Sequence, residues 1–445
     1  MNGPLLFGVR GVESRARFFR RVHALAARLP ELPCCLNLCE GRDSFMLAFA
    51  AAMTRGVTTL LPQGRDASAL SGVLREHPLA FYFAEQALPG LDCPWVSPVD
   101  SPSSAGVPDG QTRDASHWQE PPPETIVARV FTSGSTGSPM AHDKRWGSLC
   151  EGARLTREAL QLQGHTLVAT VPPQHMFGLE LSIIQPLCGG VAVHRGRPFY
   201  PEDVQQALAE VPAPRVLVTT PYHLKILLAS GLSFPPLSCV VTATAPLPEG
   251  LACAAEAYFA APLQEIYGST ETGAIACRGP VRDTRWHAWP GLRLNALEEG
   301  TGVAGAHLEG EVRLPDRIQW QDEGYFHWLG RSSDMLKLAG RRASLAELNR
   351  QLLGIDGVDD GVIFLPDEGL AARPAALVVA PRLARSQVLD ALSCRIDPVF
   401  LPRPLYCVDR LPRDASGKLP RECLLRLWQA LRLNPARLKE QEVCA

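Results

Sequence analysis

The stretch "FTSGSTGSPM" (residues 131–140) stands at the junction that decides the fold. It follows "ETIVARV" (124–130), an apolar run of strand length, and precedes a helical pattern that starts near Trp146. Its Ser and Thr hydroxyls, with backbone N–H groups freed by Gly134 and Gly137, make a concave row of donors suited to phosphate oxygens. The Gly-x-x-x-x-Gly-Lys pattern of the common nucleotide loop does not fit, because no Gly-Lys pair follows. Taken alone, such a run is more often an ordinary loop.

Outward from this point, strand-length runs alternate with helical ones. "TLVATVPP" (166–173), "RVLVTTP" (215–221) and "SCVVTATAP" (238–246) read as buried strands. "WGSLCEGARLTREALQL" (146–162) and "EDVQQALAEV" (202–211) read as helices between them. Alternation of this kind predicts an α/β fold with helix-covered parallel sheets and ligands beyond the carboxyl ends of the strands. "SPVDSPSSAGVPDGQ" (97–111) reads as a linker.

Composition narrows the function. The 445 residues allow two or three domains, and a net charge of −2 argues against a nucleic-acid partner. The longest apolar run, "FMLAFAAAM" (45–53), is half of a membrane span and reads as a buried helix, so no membrane span is expected. No signal peptide is evident at the N-terminus. The 13 cysteines are scattered, without paired CxxC spacing, which disfavours zinc and suggests reduced thiols in a cytoplasmic protein.

Four motifs in order give the chain a relationship. "FTSGSTGSP", "IYGSTETG" (266–273), "DEGYFHWLGRSSDMLKLAGRR" (322–342) and "LPRDASGK" (411–418) resemble the signatures of the adenylate-forming superfamily of acyl-CoA synthetases, aryl-acid ligases and adenylation domains. That resemblance implies a large N-terminal adenylation core of packed α/β subdomains (1–330), holding ATP and the acid. A small mobile α+β lid (331–445) would follow. It also implies the reaction: an acid is joined to the α-phosphate of ATP with release of pyrophosphate, and its acyl group then passes to a thiol.

Roles follow by resemblance. Thr132, Ser133, Ser135 and Thr136, with Gly134 and Gly137, are expected to grip the β- and γ-phosphates. Thr270 would touch the α-phosphate and Glu271 would hold Mg²⁺, with Tyr267 and Gly268 beside the nucleotide. Asp316 stands fourteen residues before Gly330, the family's spacing for a ribose-gripping aspartate, and Arg331 is its companion. Ser333 marks the hinge. Lys418 would bridge the acid and the α-phosphate, while Lys337 and Gly340 would serve the thioester-forming pose. Most relatives read Gly-x-Pro-Lys at the loop's end, whereas Met140 follows Pro139 here; either Lys144 curls back to the γ-phosphate, or the backbone and hydroxyl donors suffice.

"VPPQHMFGLELS" (171–182) lies where the family builds its acyl pocket. His175 resembles the gate beside the substrate carboxylate. Amino-acid-activating relatives carry an aspartate just after the aromatic, and Gly178 follows Phe177 here, so an amino acid is not expected as substrate. Gly178 is expected to open volume for an aromatic ring or alkyl chain beside Phe177. "TATAPLP" (242–248) replaces a glycine-rich run, and Thr244 and Ala245 would line the floor. The compact chain most resembles the AMP-ligases of bacterial aryl-polyene and xanthomonadin-type pigment pathways, which implies an aryl acid loaded onto an acyl carrier protein. A fatty-acyl or aryl CoA ligase is the alternative within the class. A catalytically idle nucleotide-binding protein is the alternative outside it.

Overall fold

The computed structural model of the chain describes residues 3–62, 64–65, 67–99, 118–133, 139–297, 300–321, 324–331, 335–338, 341–366, 373–413 and 419–433. Among them, two large sheets share one core. The first has six strands in the order Trp95–Val96, Ala80–Phe83, Cys34–Asn37, Thr58–Leu61, Ile126–Ser133 and Pro139–Arg145. Only the last is antiparallel to its neighbour.

The second sheet has eleven strands. Its parallel centre runs Leu263–Ser269, Cys239–Thr242, Arg215–Thr219, Thr166–Ala169, Ala192–His194 and Pro4–Phe7. These strands are almost uniformly apolar because helices cover both faces, the pattern of a parallel sheet. The α/β class expected from the alternating runs is therefore observed. The run 45–53 lies in helix Arg42–Thr54, apolar all round, with Phe45, Phe49 and the residues between them fully buried. That helix joins the sheets: its cluster takes in Cys35, Phe81 and Val127 from one and Leu167, Ala169 and Val218 from the other.

Residues beyond the eleven-stranded sheet build separate cores. A three-stranded sheet of Asp360–Phe364, Ala375–Val379 and Leu405–Cys407 packs around Leu348, Leu352, Val378 and Val388 on one side. Phe364, Leu377, Leu424 and Trp428 form the core on the other. A polar contact to the first body is the Lys225 ammonium, which donates to the main-chain carbonyl of Asp359 at 2.6 Å. Among the described residues no helix is long and apolar enough to cross a membrane.

One element differs from expectation. The stretch 131–140 does not lead straight into helix Trp146–Ala159; strand Pro139–Arg145 precedes the helix and pairs with Ile126–Ser133, Thr132 opposite Met140 and Arg129 opposite Asp143. That strand is polar and carries Met140 at 53% exposure, so it lacks the apolar signal by which strands are found. Cross-strand charge supports it instead: Arg129 donates to Asp143 at 2.6 Å.

Candidate active site

The hairpin delivers its side chains to the turn that follows strand Leu263–Ser269. His142 and Lys144 are two residues apart on one face of their strand. The Thr132 hydroxyl lies 3.0 Å from His142 Nε2, and that nitrogen lies 3.7 Å from Glu271 Oε1. Lys144 Nζ donates to the main-chain carbonyl of Glu271 at 3.0 Å. The hairpin thus meets Glu271 at two points, His142 at its carboxylate and Lys144 at its main-chain carbonyl.

The turn itself is tightly specified. Gly268 faces Ala274 across the hairpin, and a Cβ there would run into the Gly273 carbonyl. Gly273 has φ +66°, a left-handed conformation that favours glycine. The Ser269 hydroxyl accepts from Thr272 N–H at 3.2 Å and pairs with the Thr272 hydroxyl at the same distance. Thr270 sits half-buried between Ser269 and Glu271.

Electrostatics around Glu271 favour an anion. Burial pushes its carboxyl up, but the Ser269 hydroxyl, its own backbone, His142 and Lys144 together outweigh this and leave it below the usual range. His142 is pushed down by burial first, against the pull of Glu271 and with a smaller push from Lys144. Burial likewise lowers Lys144, opposed by Glu180, Glu271 and Glu309.

Lys144 is buried, and its ammonium lies against the main chain of the Glu271 turn. Strand alternation explains the placement, because Lys144 shares the inward face with His142.

On the acid side, His175 is the residue from which helix Met176–Leu179 starts; the helix continues as a π-helical turn, Glu180–Ile184, and then Gln185–Cys188. Phe177 is half-buried against the large core. Gly178 also departs from expectation: it opens no volume. A Cβ at this position would collide with the main-chain carbonyl of Pro172, so glycine is required by the close approach of the two backbones. On the floor, Ala245 is half-buried and Thr244 takes φ +83°, left-handed for a β-branched residue.

Asp316 faces Arg331 in the antiparallel pair Asp316–Trp320 and Tyr325–Arg331. Its carboxylate is buried and accepts from the Trp328 indole at 2.7 Å. Tyr267 packs on Trp286 and Phe326, with ring centroids 5.4 and 5.9 Å away. Gly134, Ser135, Thr136, Gly137, Ser333, Gly340 and Lys418 lie outside the described residues, as do the side chains of Ser133, Arg331 and Lys337.

Hairpin, pocket helix and Glu271 turn all fall within residues 38–311, which match the family model described as AMP-binding enzyme. The chain belongs to the AMP-binding enzyme family. This membership makes it an enzyme and supports ATP-dependent activation of an acid, which sets the idle binding protein aside. A 4-coumarate–CoA ligase of Halorhodospira halophila is 29% identical over 301 residues, covering 65% of this chain and 73% of that one. A 3-hydroxybenzoate–CoA ligase of Aromatoleum sp. strain CIB is 26% identical over 364 residues, covering 70% and 68%. In fold, the chain is similar to ATP-bound MatB from Rhodopseudomonas palustris, with TM-score 0.79, 18% identity and 97% coverage of both chains.

Two residues of this AMP-binding enzyme had escaped the sequence. Arg42 is fully buried; its guanidinium donates to the carbonyls of Ala169 (2.7 Å), Val171 (3.1 Å) and Gly196 (3.3 Å) and bonds the Ser182 hydroxyl. Ser182 in turn donates to the Gly178 carbonyl at 2.5 Å, so Arg42 anchors both ends of the pocket segment. Glu180, also buried, accepts from Ala274 N–H at 3.2 Å. Glu180 was a lone charge in the apolar run 176–184, legible as an anomaly but not as a contact, whereas Arg42 stands between Glu40 and Asp43 and gave no such signal.

Proposed function

We propose that the enzyme activates an aromatic, hydroxybenzoate-like acid with ATP and passes the acyl group to the phosphopantetheine thiol of an acyl carrier protein. The observation that carries the nucleotide half is the chain of contacts from Thr132 to His142 and from His142 to the Glu271 carboxylate. Mg²⁺ fits there: a hard ion takes one or two carboxylates plus phosphate oxygens, and Glu271 is kept ionised beside hydroxyl donors. When bound, the ion would neutralise phosphate charge. Thr132, Ser133, Gly134, Ser135, Thr136 and Gly137 cradle the outer phosphates in this reading. Thr270, Tyr267 and Gly268 line the nucleotide, with Asp316 and Arg331 at the ribose.

The substrate carboxylate attacks the α-phosphorus and pyrophosphate leaves. Positioning and charge stabilisation carry that step, because neither anion is a willing partner for the other. His175 holds the carboxylate at the gate, and Lys418 spans it and the α-phosphate from the lid (331–445). The thiol then attacks the acyl carbonyl and AMP leaves, with Lys337 facing the site in that second pose. Phe177, Thr244 and Ala245 surround the acyl group. The absence of a carboxylate after Phe177 leaves an α-ammonium without a partner, which disfavours amino acids.

An aromatic acid is also what the names of the two curated relatives suggest. Both of those names specify CoA as acceptor, which supports aryl-CoA formation as the second reading. The test is pyrophosphate release with ATP and Mg²⁺ across hydroxybenzoates, cinnamates, fatty acids and amino acids. Thioester formation with holo carrier protein or CoA then separates the acceptors. Release with aromatic acids, abolished in Lys418→Ala while ATP still binds, is the expected result. Release with fatty acids alone, or a wild-type rate in Lys418→Ala, overturns it.

A further inference from the structure

The pocket helix and the Glu271 turn come from segments about ninety residues apart, yet one side chain bridges them directly. Glu180 opens the π-helical turn of the pocket segment and accepts from Ala274 N–H at 3.2 and 3.3 Å. Its Oε1 occupies the space that a Cβ on Gly273 would need. From the opposite side, Lys144 donates to the Glu271 carbonyl at 3.0 Å. Both side chains are 7% exposed, and neither contact is replaceable by bulk water.

The turn 270–272 is therefore held at two main-chain points, Glu271 O and Ala274 N, by side chains from two other elements. Glu180 is also the acid with the strongest pull on Lys144, ahead of Glu271 and Glu309. Met176, beside His175, touches the same spot: its methyl lies 3.5 Å from the Gly273 Cβ position.

We propose that Lys144 and Glu180 are positioning residues for adenylation: Lys144 hangs the Glu271 turn from the hairpin, and Glu180 locks it to the acid-pocket helix. The lysine missing at position 140 is thus not replaced in its phosphate-touching role; the nearby lysine orients the carboxylate instead. This rests on the reading of Glu271 as the Mg²⁺ residue. The role of Glu180 is that of an acceptor and a filler of space, so its amide isostere retains it.

The test compares Lys144→Met, Glu180→Ala and Glu180→Gln in the full chain. Hydrogen–deuterium exchange of a peptide covering 269–274 reports the turn directly, and calorimetric ATP binding with and without Mg²⁺ reports its consequence. In Lys144→Met and Glu180→Ala, exchange should speed up and Mg²⁺-dependent ATP affinity should fall, each by about tenfold, as for loss of one buried hydrogen bond. Binding of ATP without Mg²⁺ should be unchanged, and Glu180→Gln should behave as wild type. Should Glu180→Ala fail to fold, Lys144→Met still decides. Wild-type exchange in Lys144→Met overturns the proposal, as does a Glu180→Gln variant as loose as Glu180→Ala. A wild-type protein that activates no acid, yet shows the expected exchange changes, tells instead against the proposed function.

Discussion

The indole of Trp328 donates to the carboxylate of Asp316 at 2.7 Å, across the strand pair that ends at Gly330 and Arg331. The tryptophan thereby orients the acid that we assign to the ribose. Trp328→Phe keeps the ring and removes the donor. A hydrogen bond to a charged group is worth about 1.5–3 kcal/mol, so KM for ATP should rise about tenfold or more. An unchanged KM would remove Asp316 from the ribose.

Glu180 predicts a pH effect. Burial pushes its carboxyl from 4.5 up to about 7, against the pull of Ala274 N–H and Lys144. Between those values the folded chain binds more protons than the unfolded one. The stability this group contributes is therefore fully present below 4.5 and lost as pH rises through about 7. Glu180→Gln does not titrate, so its Tm relative to wild type should be higher at about pH 8 than at about pH 5. A Tm difference independent of pH would place this carboxyl in a more polar setting.

Arg42 holds carbonyls rather than an acid, and its geometry uses several guanidinium nitrogens at once. Lysine cannot reproduce that fork. Arg42→Lys should lower stability by about 2–3 kcal/mol through unsatisfied buried carbonyls, and loosen the pocket segment. Thermal unfolding with and without the acid substrate checks both; wild-type values would show that the segment holds itself.

Thr244 is a β-branched residue at φ +83°, a conformation costing on the order of 1–3 kcal/mol outside glycine. Thr244→Gly should raise Tm modestly, offset in part by the greater freedom of an unfolded glycine. A lower Tm would mean that the threonine side chain contributes more than the strain removes.

How much of this was legible before folding depends on the kind of signal. Parallel strands such as Thr166–Ala169 and Cys239–Thr242 announced themselves by continuous apolar runs, and helix Arg42–Thr54 did the same. Strand Pro139–Arg145 did not, because its partners are a cross-strand ion pair and buried polar side chains that no single-strand pattern encodes. For the site, motif spelling pointed to Thr132 and Glu271, and the structure brings them together through His142. The contact of Lys144 with the Glu271 turn and the bridge made by Glu180 depend on which segments fold against each other, which proximity in sequence does not encode.

The close approach of Gly178 to Pro172 bears on how this enzyme can change. An aspartate at this position is the natural step toward an amino-acid substrate, and chemically it is one substitution away. Here it is closed by backbone rather than by charge: any side chain drives the helix start off the strand exit, about 1–3 kcal/mol for a methyl alone and more for a carboxylate. With residue 178 in the acid pocket as proposed, a new counter-charge would call for rerouting the chain at 172–178 or for another wall. In that reading the main chain would restrict the substrate range before any side chain is chosen.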